Sequence, residues 1–488
     1  MPRFHYQQIA EQLIERMQSG HYPLGKKLPS IRELSHQFSV SKGTIVRCYE
    51  ALEDQGWIQP KEKSGFFPTG QHHPLLNKTT LSAIQPRRLD NKSLGISMVR
   101  AASVSAQVPF GSAHPEVMFP AVKQLYQCLK KQAGIEGEQL EQGVLPHYQT
   151  PPGDEQLCMQ LSLYLAEKGI VAAPESILVT NGTQAAIALA LEAVTETNDI
   201  VLVESPCFYG TLQCLEAMRR KVVEIPQAPE GGPNITLVQA ALERWPVKAM
   251  LLNPTVNNPT GLTMPELARH QLIELANRYD LALIEDDVFA DLHFQAPAPS
   301  PLKMLDTENR VMYCGSISKF LTPKLRIGWL LAGRWHEACQ HLLFVTHMGL
   351  PSHSQKALAQ WLATGKLNRH LRQIRKVYQQ RLSDLLSCIA DSWPAEVQVQ
   401  QPSGGFLLWL KLPEGCEALQ LYQWALDQKI SITPGPLFSG QEAFPNYLRL
   451  NYAFFRGQPE YTQSIYKLGQ QIKQQYTNAQ ASTLGEIK

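Results

Sequence analysis

Short apolar segments alternate with helical segments between residues 177 and 332. Apolar runs of this kind, bounded by polar turns, are typical of strands that are buried on both faces. Repeated strand–helix units fold into a mainly parallel sheet with helices on both sides, so this pattern predicts a large α/β domain. The predicted strands are Ile177–Val179, Ile200–Val203, Val222–Ile225, Ala249–Leu252, Leu281–Ile284, Val311–Cys314 and Gly328–Ala332, and the helices between them are Thr183–Thr195, Gly210–Arg219, Val238–Arg244 and Pro265–Tyr279.

The pattern changes towards the end of the chain, where it predicts a smaller α+β lobe. We therefore place one large body at residues 106–476 and expect the polar residues 477–488 to form a frayed tail. The predicted elements of the lobe are a helix near Leu371–Ala390, strands near Gly405–Leu412 and Leu448–Ala453, and a final helix from about Pro459 to Tyr476.

Residues 1–70 form a separate helical unit with its own apolar pattern. Apolar residues recur at helical spacing from Tyr6 to Met17, which predicts a first amphipathic helix. Ser30 and Glu33 have the spacing of a capping box at the start of a second helix, and Ser41 can cap a third. Three helices followed by short β-like runs, 57–59 and 66–67, are the order of a winged helix-turn-helix.

In a winged helix-turn-helix the third helix enters the DNA major groove. Lys and Arg suit phosphates and guanine edges there, and Ser and Thr suit phosphates and thymine methyls. The alternative is a small solvated helical domain with ordinary surface charge. The candidate DNA contacts are Ser41, Lys42, Thr44 and Arg47 on the third helix, with Lys63 and Gly65 in the hairpin.

Residues 71–105 are predicted to be a basic linker, because the apolar pattern breaks and Pro, Ser, Asn and Gln are frequent. Residues 1–105 hold 14 Lys and Arg against 8 Asp and Glu, a net of +6, while the remainder carries −4 within an overall charge of +2. A basic end attracts phosphates, which favours DNA over the acidic body as the site of nucleic-acid binding. A merely solvated tether is the alternative for the linker.

Targeting signals, membrane spans and cysteine motifs are all missing from the amino-acid sequence. The first 17 residues lack the apolar core of a signal peptide, and no run reaches the ~20 apolar residues that a membrane span needs. Nine scattered cysteines without a Cys-x-x-Cys pair indicate reduced thiols in a cytoplasm. We therefore expect a cytoplasmic protein with no metal site.

Five short segments of the body carry residues suited to ligand chemistry. Each is also compatible with an ordinary structural turn, a surface charge or, for the three adjacent acids, a metal cluster. Glycine at a helix start lets phosphate approach free backbone N–H groups. A buried lysine can form a Schiff base with an aldehyde, and an arginine in an apolar strand requires an anionic partner. The segments are Thr180–Gln184, Asn253–Gly261, Leu283–Asp287, Gly315–Lys319 with Arg326, and Leu448–Asn451.

The order and spacing of these segments resemble the fold-type I pyridoxal phosphate enzymes, the class I and II aminotransferases, over about residues 106–475. The resemblance implies that Lys319 is the catalytic lysine that carries pyridoxal 5′-phosphate. Asp286 would pair with the pyridine nitrogen and Asn258 would hydrogen-bond the ring 3′-oxygen. Arg449 would bind the α-carboxylate of an amino acid. The remaining implied cofactor contacts are Gly182, Thr183, Gln184, Ser316, Ser318 and Arg326 to the phosphate, Phe208 stacked on the ring, and Tyr148 reaching a neighbouring subunit's phosphate.

The front domain independently resembles the GntR type of winged helix, through Leu28–Leu34 and Ser41–Thr44, with Arg32 facing DNA. A GntR head joined to an aminotransferase-like body looks like the MocR subfamily of transcriptional regulators. The resemblance implies a homodimer, commonly head-to-tail, that binds a double-stranded DNA operator. It implies sensing of an amino compound or of pyridoxal phosphate through aldimine formation. The alternative is an active aminotransferase with an appended DNA-binding head.

Two positions depart from the resembled patterns. Phe289 stands among the cofactor residues where aminotransferases place a tyrosine whose hydroxyl also touches the ring 3′-oxygen. Its loss predicts cofactor binding with poorer proton transfer. Val46 stands in the third helix where these regulators often have an arginine, so DNA preference cannot be carried over from the family.

Overall fold

The computed structural model describes residues 5–18, 27–38, 40–54, 57–61, 65–68, 84–89, 108–145, 147–295, 298–441 and 443–485. The chain divides into two compact units, Met1–Lys78 and Thr79–Lys488. Lys63, one of the predicted DNA contacts, lies outside the described residues, as do most of the residues predicted to form the linker.

The first unit is a winged helix-turn-helix, as the sequence predicts. Helices α1 (His5–Gln18), α2 (Ile31–Gln37) and α3 (Lys42–Asp54) precede an antiparallel hairpin of β1 (Ile58–Lys61) and β2 (Gly65–Pro68). The predicted capping box is present at α2: the Ser30 N–H donates to Glu33 at 2.6 Å and the Glu33 N–H donates to the Ser30 hydroxyl at 3.3 Å. The helices enclose a core of fully buried residues that includes Leu13, Leu34, Ile45 and Leu52.

A mixed sheet forms the centre of the second unit, and eight of its strands lie within the described residues. Four adjacent pairs are parallel and the flanking pairs are antiparallel, which confirms the predicted α/β class. Across the sheet the strands are β3 (Arg87–Arg88), β7 (Lys221–Pro226), β6 (Ile200–Ser205), β8 (Val247–Leu252), β9 (Ala282–Asp286), β10 (Val311–Ser316), β11 (Gly328–Leu331) and β5 (Leu178–Thr180).

Helices cover both faces of this sheet, and an apolar core lies under each layer. Helix α6 (Thr183–Val194) contributes to one core, and helices α8 (Ile235–Arg244) and α9 (Glu266–Arg278) contribute to the other. The other helices of the large domain are α4 (Pro120–Glu141), α5 (Glu155–Glu167), α7 (Tyr209–Ala217), α10 (Leu302–Leu305), α11 (His336–His347) and α12 (Ser352–Leu362).

The smaller lobe has a four-stranded sheet in the order β12-β13-β16-β15. A two-stranded pair of β4 (Val108–Pro109) and β14 (Ile430–Ser431) joins the start of the body to this lobe. The remaining elements are α13 (Leu367–Ser392), β12 (Gln398–Gln400), β13 (Leu407–Lys411), α14 (Ala418–Asp427), β15 (Thr433–Pro434), β16 (Tyr447–Asn451) and α15 (Pro459–Gly485).

Two predicted boundaries differ from the structure. Part of the predicted linker belongs to the body, because β3 pairs with β7 and the Ile84 side chain is only 1% exposed in the core beneath it. The residues predicted to form a frayed tail are helical as far as Gly485. Among the described residues, no helix is both long and apolar enough to cross a membrane.

Candidate cofactor and effector site

The predicted site residues meet at one edge of the large sheet. Strand β5 is antiparallel to β11, which is antiparallel to β10, so β5 runs in the same direction as β8, β9 and β10. The carboxyl ends of these four strands therefore share an edge, where ligands of α/β proteins bind. Gly182, Asn258 and Lys319 follow strands at this edge, and Asp286 is the last residue of β9.

Lys319 is half-buried, and its Nζ donates a 2.8 Å hydrogen bond to the carbonyl of Ala113. The same nitrogen lies 5.3 Å from the ring centre of Phe289. Removal from water and the positive charge of Arg449 lower the pKa of Lys319 to about 8, against the opposing effect of Asp286. The neutral, nucleophilic form of this amine is therefore easier to reach near neutral pH than for an ordinary lysine.

The three adjacent acids have three different environments. Asp286 is 9% exposed and accepts a 3.2 Å hydrogen bond from the Val288 N–H, and burial raises its pKa to about 7. Glu285 accepts two backbone N–H groups at the start of α10, at 2.8 and 2.9 Å. Asp287 pairs with Lys168 at 2.9 Å. Because their contacts diverge, the three carboxylates do not form the metal cluster that the sequence left open.

The predicted phosphate cradle lies at the start of α6 and contains Gly182, Thr183 and Arg326. Gly182 caps this helix at φ +84°, and a Cβ there would lie 2.6 Å from Nη2 of Arg326. Arg326 is exposed and donates to the carbonyl of Asn181 at 3.0 Å. The Thr183 hydroxyl is buried and has no hydrogen-bond partner among the described residues. An unpaired buried hydroxyl beside a free helix N-terminus fits a phosphate group.

The other predicted phosphate residues surround the same cradle. The Ser316 and Ser318 hydroxyls are 2.7 Å apart, and the Ser318 N–H donates to the Ser316 hydroxyl at 3.1 Å. Ser316 also donates to the Ile327 carbonyl at 2.9 Å. Gln184 instead uses its side-chain amide to donate to the carbonyl of Gly210 at 3.1 Å.

Arg449 lies on β16 with no solvent exposure. It donates to the Asn258 side chain at 3.0 Å, to the Gly111 carbonyl at 2.9 Å and to the Thr433 hydroxyl at 3.2 Å. Burial lowers its pKa to about 10. Its Nε has no hydrogen-bond partner, and no carboxylate lies within ion-pair distance of it, among the described residues. A buried guanidinium without a carboxylate partner has the chemistry that suits an anionic ligand.

A cavity of about 170 Å³ opens at Lys319 and Phe208, and its other eight lining residues were not predicted from the sequence. Tyr209 directly follows Phe208, with ring centres 4.7 Å apart, and its position beside a predicted residue was the available signal. Residues 111–114 come from far upstream and carried no recognisable signal. The cavity is lined by Gly111, Ser112, Ala113, His114, Phe208, Tyr209, Lys319, Ile432, Thr433 and Leu437.

The remaining predicted cofactor residues are Tyr148 and Phe289. Tyr148 is 76% exposed and does not line the cavity. Phe289 is 2% exposed and packs against Phe406 at 5.4 Å. A wholly buried benzyl side chain offers no hydroxyl to a ligand at this point, so the departure noted in the sequence is present in the site.

The predicted DNA contacts divide into free and engaged side chains. Arg32 on α2 and Lys42 and Arg47 on α3 are exposed. The Ser41 and Thr44 hydroxyls are 2.8 Å apart, and Ser41 accepts the Thr44 N–H at 3.2 Å, so these two residues serve first as the cap of α3. Gly65 begins β2 with φ +106°.

Comparison with known proteins finds a separate family match for each of the two units. Residues 5–67 match the gntR family of bacterial regulatory proteins, and residues 112–457 match the aminotransferase class I and II family. The kynurenine aminotransferase of Pyrococcus horikoshii, solved with PMP, superposes with a TM-score of 0.70 at 26% identity, over 79% of this chain and 95% of that one. The fold and site thus define a winged helix joined to an aminotransferase domain.

Relatives that match along most of the chain identify its family more narrowly. It is 34% identical to the HTH-type transcriptional regulator YjiR of Escherichia coli K12, over 96% of this chain and 98% of the relative. It is 23% identical to the probable rhizopine catabolism regulatory protein MocR of Rhizobium meliloti, over 88% and 86% of the two chains. The chain belongs to the GntR-type transcriptional regulators that carry a class I and II aminotransferase domain, the MocR subfamily.

Proposed function

We propose that this protein is a transcriptional regulator that binds pyridoxal 5′-phosphate and an operator in double-stranded DNA, and that a small amino compound controls it. The observation that carries the proposal is that one chain holds two different sites. Lys319 lies at a sheet edge beside the buried Asp286, and this pair suits an aldehyde cofactor. Helix α3 has an exposed basic face, which suits the phosphates of DNA.

The residues at the sheet edge fit the cofactor. Pyridoxal 5′-phosphate, when bound, supplies an aldehyde that condenses with primary amines and a ring that accepts electrons. Lys319 would bind the aldehyde carbon, and Asp286, whose charged form is made costly by burial, would pair with the pyridine nitrogen. The Thr183 hydroxyl, which has no hydrogen-bond partner within the described part of the chain, supports phosphate binding at the start of α6.

Phosphate, ring and neighbouring-subunit contacts complete the proposed cofactor site. Tyr148 would act on a partner's cofactor in a homodimer, which its 76% exposure permits. The other proposed contacts are Gly182, Gln184, Ser316, Ser318 and Arg326 to the phosphate, Phe208 and Phe289 to the ring, and Asn258 to the ring 3′-oxygen.

The proposed effector carries both an amine and a carboxylate. Arg449 is buried without a carboxylate partner in the described residues, and leaving such a cation unpaired is costly. A carboxylate on the effector would relieve that cost. Tyr209, His114 and Thr433, whose hydroxyl accepts a hydrogen bond from Arg449, line the cavity of about 170 Å³, and this volume limits the effector to a small molecule.

Control of DNA binding by the effector requires coupling between two sites. Coupling is reciprocal, so an effector that weakens DNA binding must itself bind less tightly when DNA is present. Both affinities can be measured on the full-length homodimer with cofactor bound. Equal effector affinity with and without operator DNA would show that the effector does not control the regulator.

Selection of binding sites from random duplex DNA tests the DNA-binding part of the proposal. We expect the full-length protein to enrich paired half-sites and to lose affinity steeply with salt, since Lys42, Arg47 and Arg32 replace counterions on phosphates. A protein without any sequence preference would contradict the proposal. The Lys319→Ala variant is the matched control, because it removes cofactor attachment while leaving α3 untouched.

A working aminotransferase is the less favoured function. Phe289 places a hydrocarbon ring 5.3 Å from the Lys319 amine, where a tyrosine hydroxyl would assist proton transfer. The site therefore suits ligand binding better than repeated turnover.

A further inference from the structure

Val46 is an exposed apolar side chain in the middle of the helix proposed to enter the DNA groove. It lies on α3 and is 36% exposed, while Ile45, Cys48 and Tyr49 point into the core of the winged helix. A partly exposed valine contributes little to folding at this position, because the buried stripe of α3 is already complete without it.

The surroundings of Val46 leave its methyl groups open. Side chains on a helix lean towards its N-terminus, so Val46 extends over the position of Gly43, one turn earlier. A Cβ at Gly43 would meet only the Ser41 hydroxyl, at 3.8 Å. The glycine therefore leaves a gap in which a partner can approach the valine closely.

Exposed charges flank this gap. Lys42 and Arg47 are exposed on α3 beside Val46, and both suit phosphate oxygens. Contacts of that kind on both sides would hold the centre of the face against base edges rather than against the backbone. The valine cannot donate or accept a hydrogen bond, so it can distinguish bases only through apolar contact.

In the major groove the apolar feature of a base pair is the C5-methyl group of thymine. We infer that Val46 reads a thymine methyl in each half-site of the operator. An arginine at this position would instead select guanine through its O6 and N7 atoms. The inference rests on the proposed DNA-binding function and gives it a specific base contact that follows from Val46 and Gly43.

Deoxyuridine tests this inference because it differs from thymidine only by the missing methyl group. The operator is first selected from random duplexes with the full-length protein, and each thymine is then replaced singly by uracil. For the wild-type protein we expect one position per half-site at which the replacement weakens binding about three- to tenfold, while the other positions change little.

The Val46→Ala variant completes a double-mutant cycle. It should lose the same three- to tenfold on the thymine operator and should show no further loss on the uracil operator. Val46→Thr keeps one methyl group and should retain part of the preference. Lys42→Ala is the control, since it should weaken all sequences alike and reduce the salt dependence. Thermal unfolding of each variant confirms that the winged helix is intact.

Two outcomes would overturn the inference: uracil equal to thymine at every position, or a uracil penalty that persists in Val46→Ala. Neither would affect the proposed function, because the operator would still be bound with sequence preference. Failure to enrich any operator would contradict the proposed function itself, and so the two failures are distinguishable.

Discussion

Arg449 donates a 3.0 Å hydrogen bond from Nη1 to Oδ1 of Asn258. The bond joins β16 of the smaller lobe to the loop after β8 of the large sheet. These two residues are proposed to hold different parts of the bound molecules, a carboxylate and a ring oxygen. A ligand carboxylate that binds at Nη1 must therefore share this N–H donor with Asn258 or displace the amide oxygen from it.

Replacement of Arg449 by glutamine should weaken the binding of amines that carry a carboxylate. A charge-assisted hydrogen bond contributes about 1.5–3 kcal/mol, so L-alanine should bind to the cofactor-loaded protein about 10- to 100-fold more weakly. Ethylamine, which lacks the carboxylate, should be unaffected. The change in cofactor absorbance measures both affinities. An equal loss for the two amines would show that Arg449 only supports the fold.

Thr183→Val tests the phosphate cradle. The variant replaces a buried hydroxyl that has no partner in the described structure by a methyl group of similar size. We expect the affinity for pyridoxal 5′-phosphate to fall about 10- to 100-fold, since hydrogen bonds to charged groups are strong. The affinity for pyridoxal, which has no phosphate, should stay the same, and a parallel fall would contradict this assignment.

Asp286→Asn should change the pH dependence of stability. Burial raises the pKa of Asp286 from 3.8 to about 7, so the folded cofactor-free protein keeps a proton that the unfolded chain releases. Protonated Asp286 therefore contributes to the stability of the folded state. This stabilisation is fully present below pH 3.8 and is lost as the pH rises through about 7. Urea titrations should show the variant gaining stability relative to wild type between pH 4 and 8. A pH-independent difference would mean that Asp286 does not titrate in this range.

Without cofactor, Asp286→Asn should gain stability relative to wild type as the pH rises; with pyridoxal 5′-phosphate bound, the wild-type protein should gain more stability than the variant. The pyridine nitrogen favours the charged form of Asp286, so pyridoxal 5′-phosphate should raise the melting temperature of wild type more than that of Asp286→Asn. Equal increases would indicate that the carboxylate makes no contact with the cofactor.

Phe289→Tyr restores the hydroxyl that aminotransferases have at this position. We expect the rate of amino-group exchange between an amino acid and a keto acid to rise at least about tenfold, because a positioned acid–base group assists proton transfer. Phe289→Leu is the control for altered packing against Phe406. Rapid exchange by the wild-type protein would favour the aminotransferase function instead.

Lys168→Met should destabilise the body without touching the cofactor site. The Lys168 ammonium lies 2.9 Å from Asp287 and 3.2 Å from Asp291, whose side chains are 0% and 8% exposed. The substitution leaves two buried carboxylates with tyrosine hydroxyls but without a cation, which costs about 3–5 kcal/mol of unfolding free energy. Lys248→Met, at an exposed position on β8, should cost little and is the control.

Seven of the eight described strands of the large sheet could be predicted from local pattern alone. The apolar run before Asp286 and the run before Lys319 each indicate a buried strand, and side chains alternate along it. The same rule places Gly182 at a helix start. Because all these signals lie within a few residues, they require no knowledge of distant contacts.

Long helices near the start of the body were not predicted, although α4 and α5 are among its largest elements. Residues 84–89 were assigned to the linker because their composition is basic and polar. Their membership in the sheet comes from pairing of Arg87 with Val222, across more than a hundred residues. Such pairing leaves no local signature, since an edge strand of two residues has no measurable period.

Sequence alone determined which residue types stand at the strand ends, and therefore the kind of cofactor and the kind of partner that the two units suit. Tertiary structure decided which of three adjacent acids lies near Lys319, and it brought Gly111, from the start of the body, to Arg449 near its end. The physical reason is that strand and helix formation depend on neighbours in the chain, whereas a binding cavity depends on which faces are buried together.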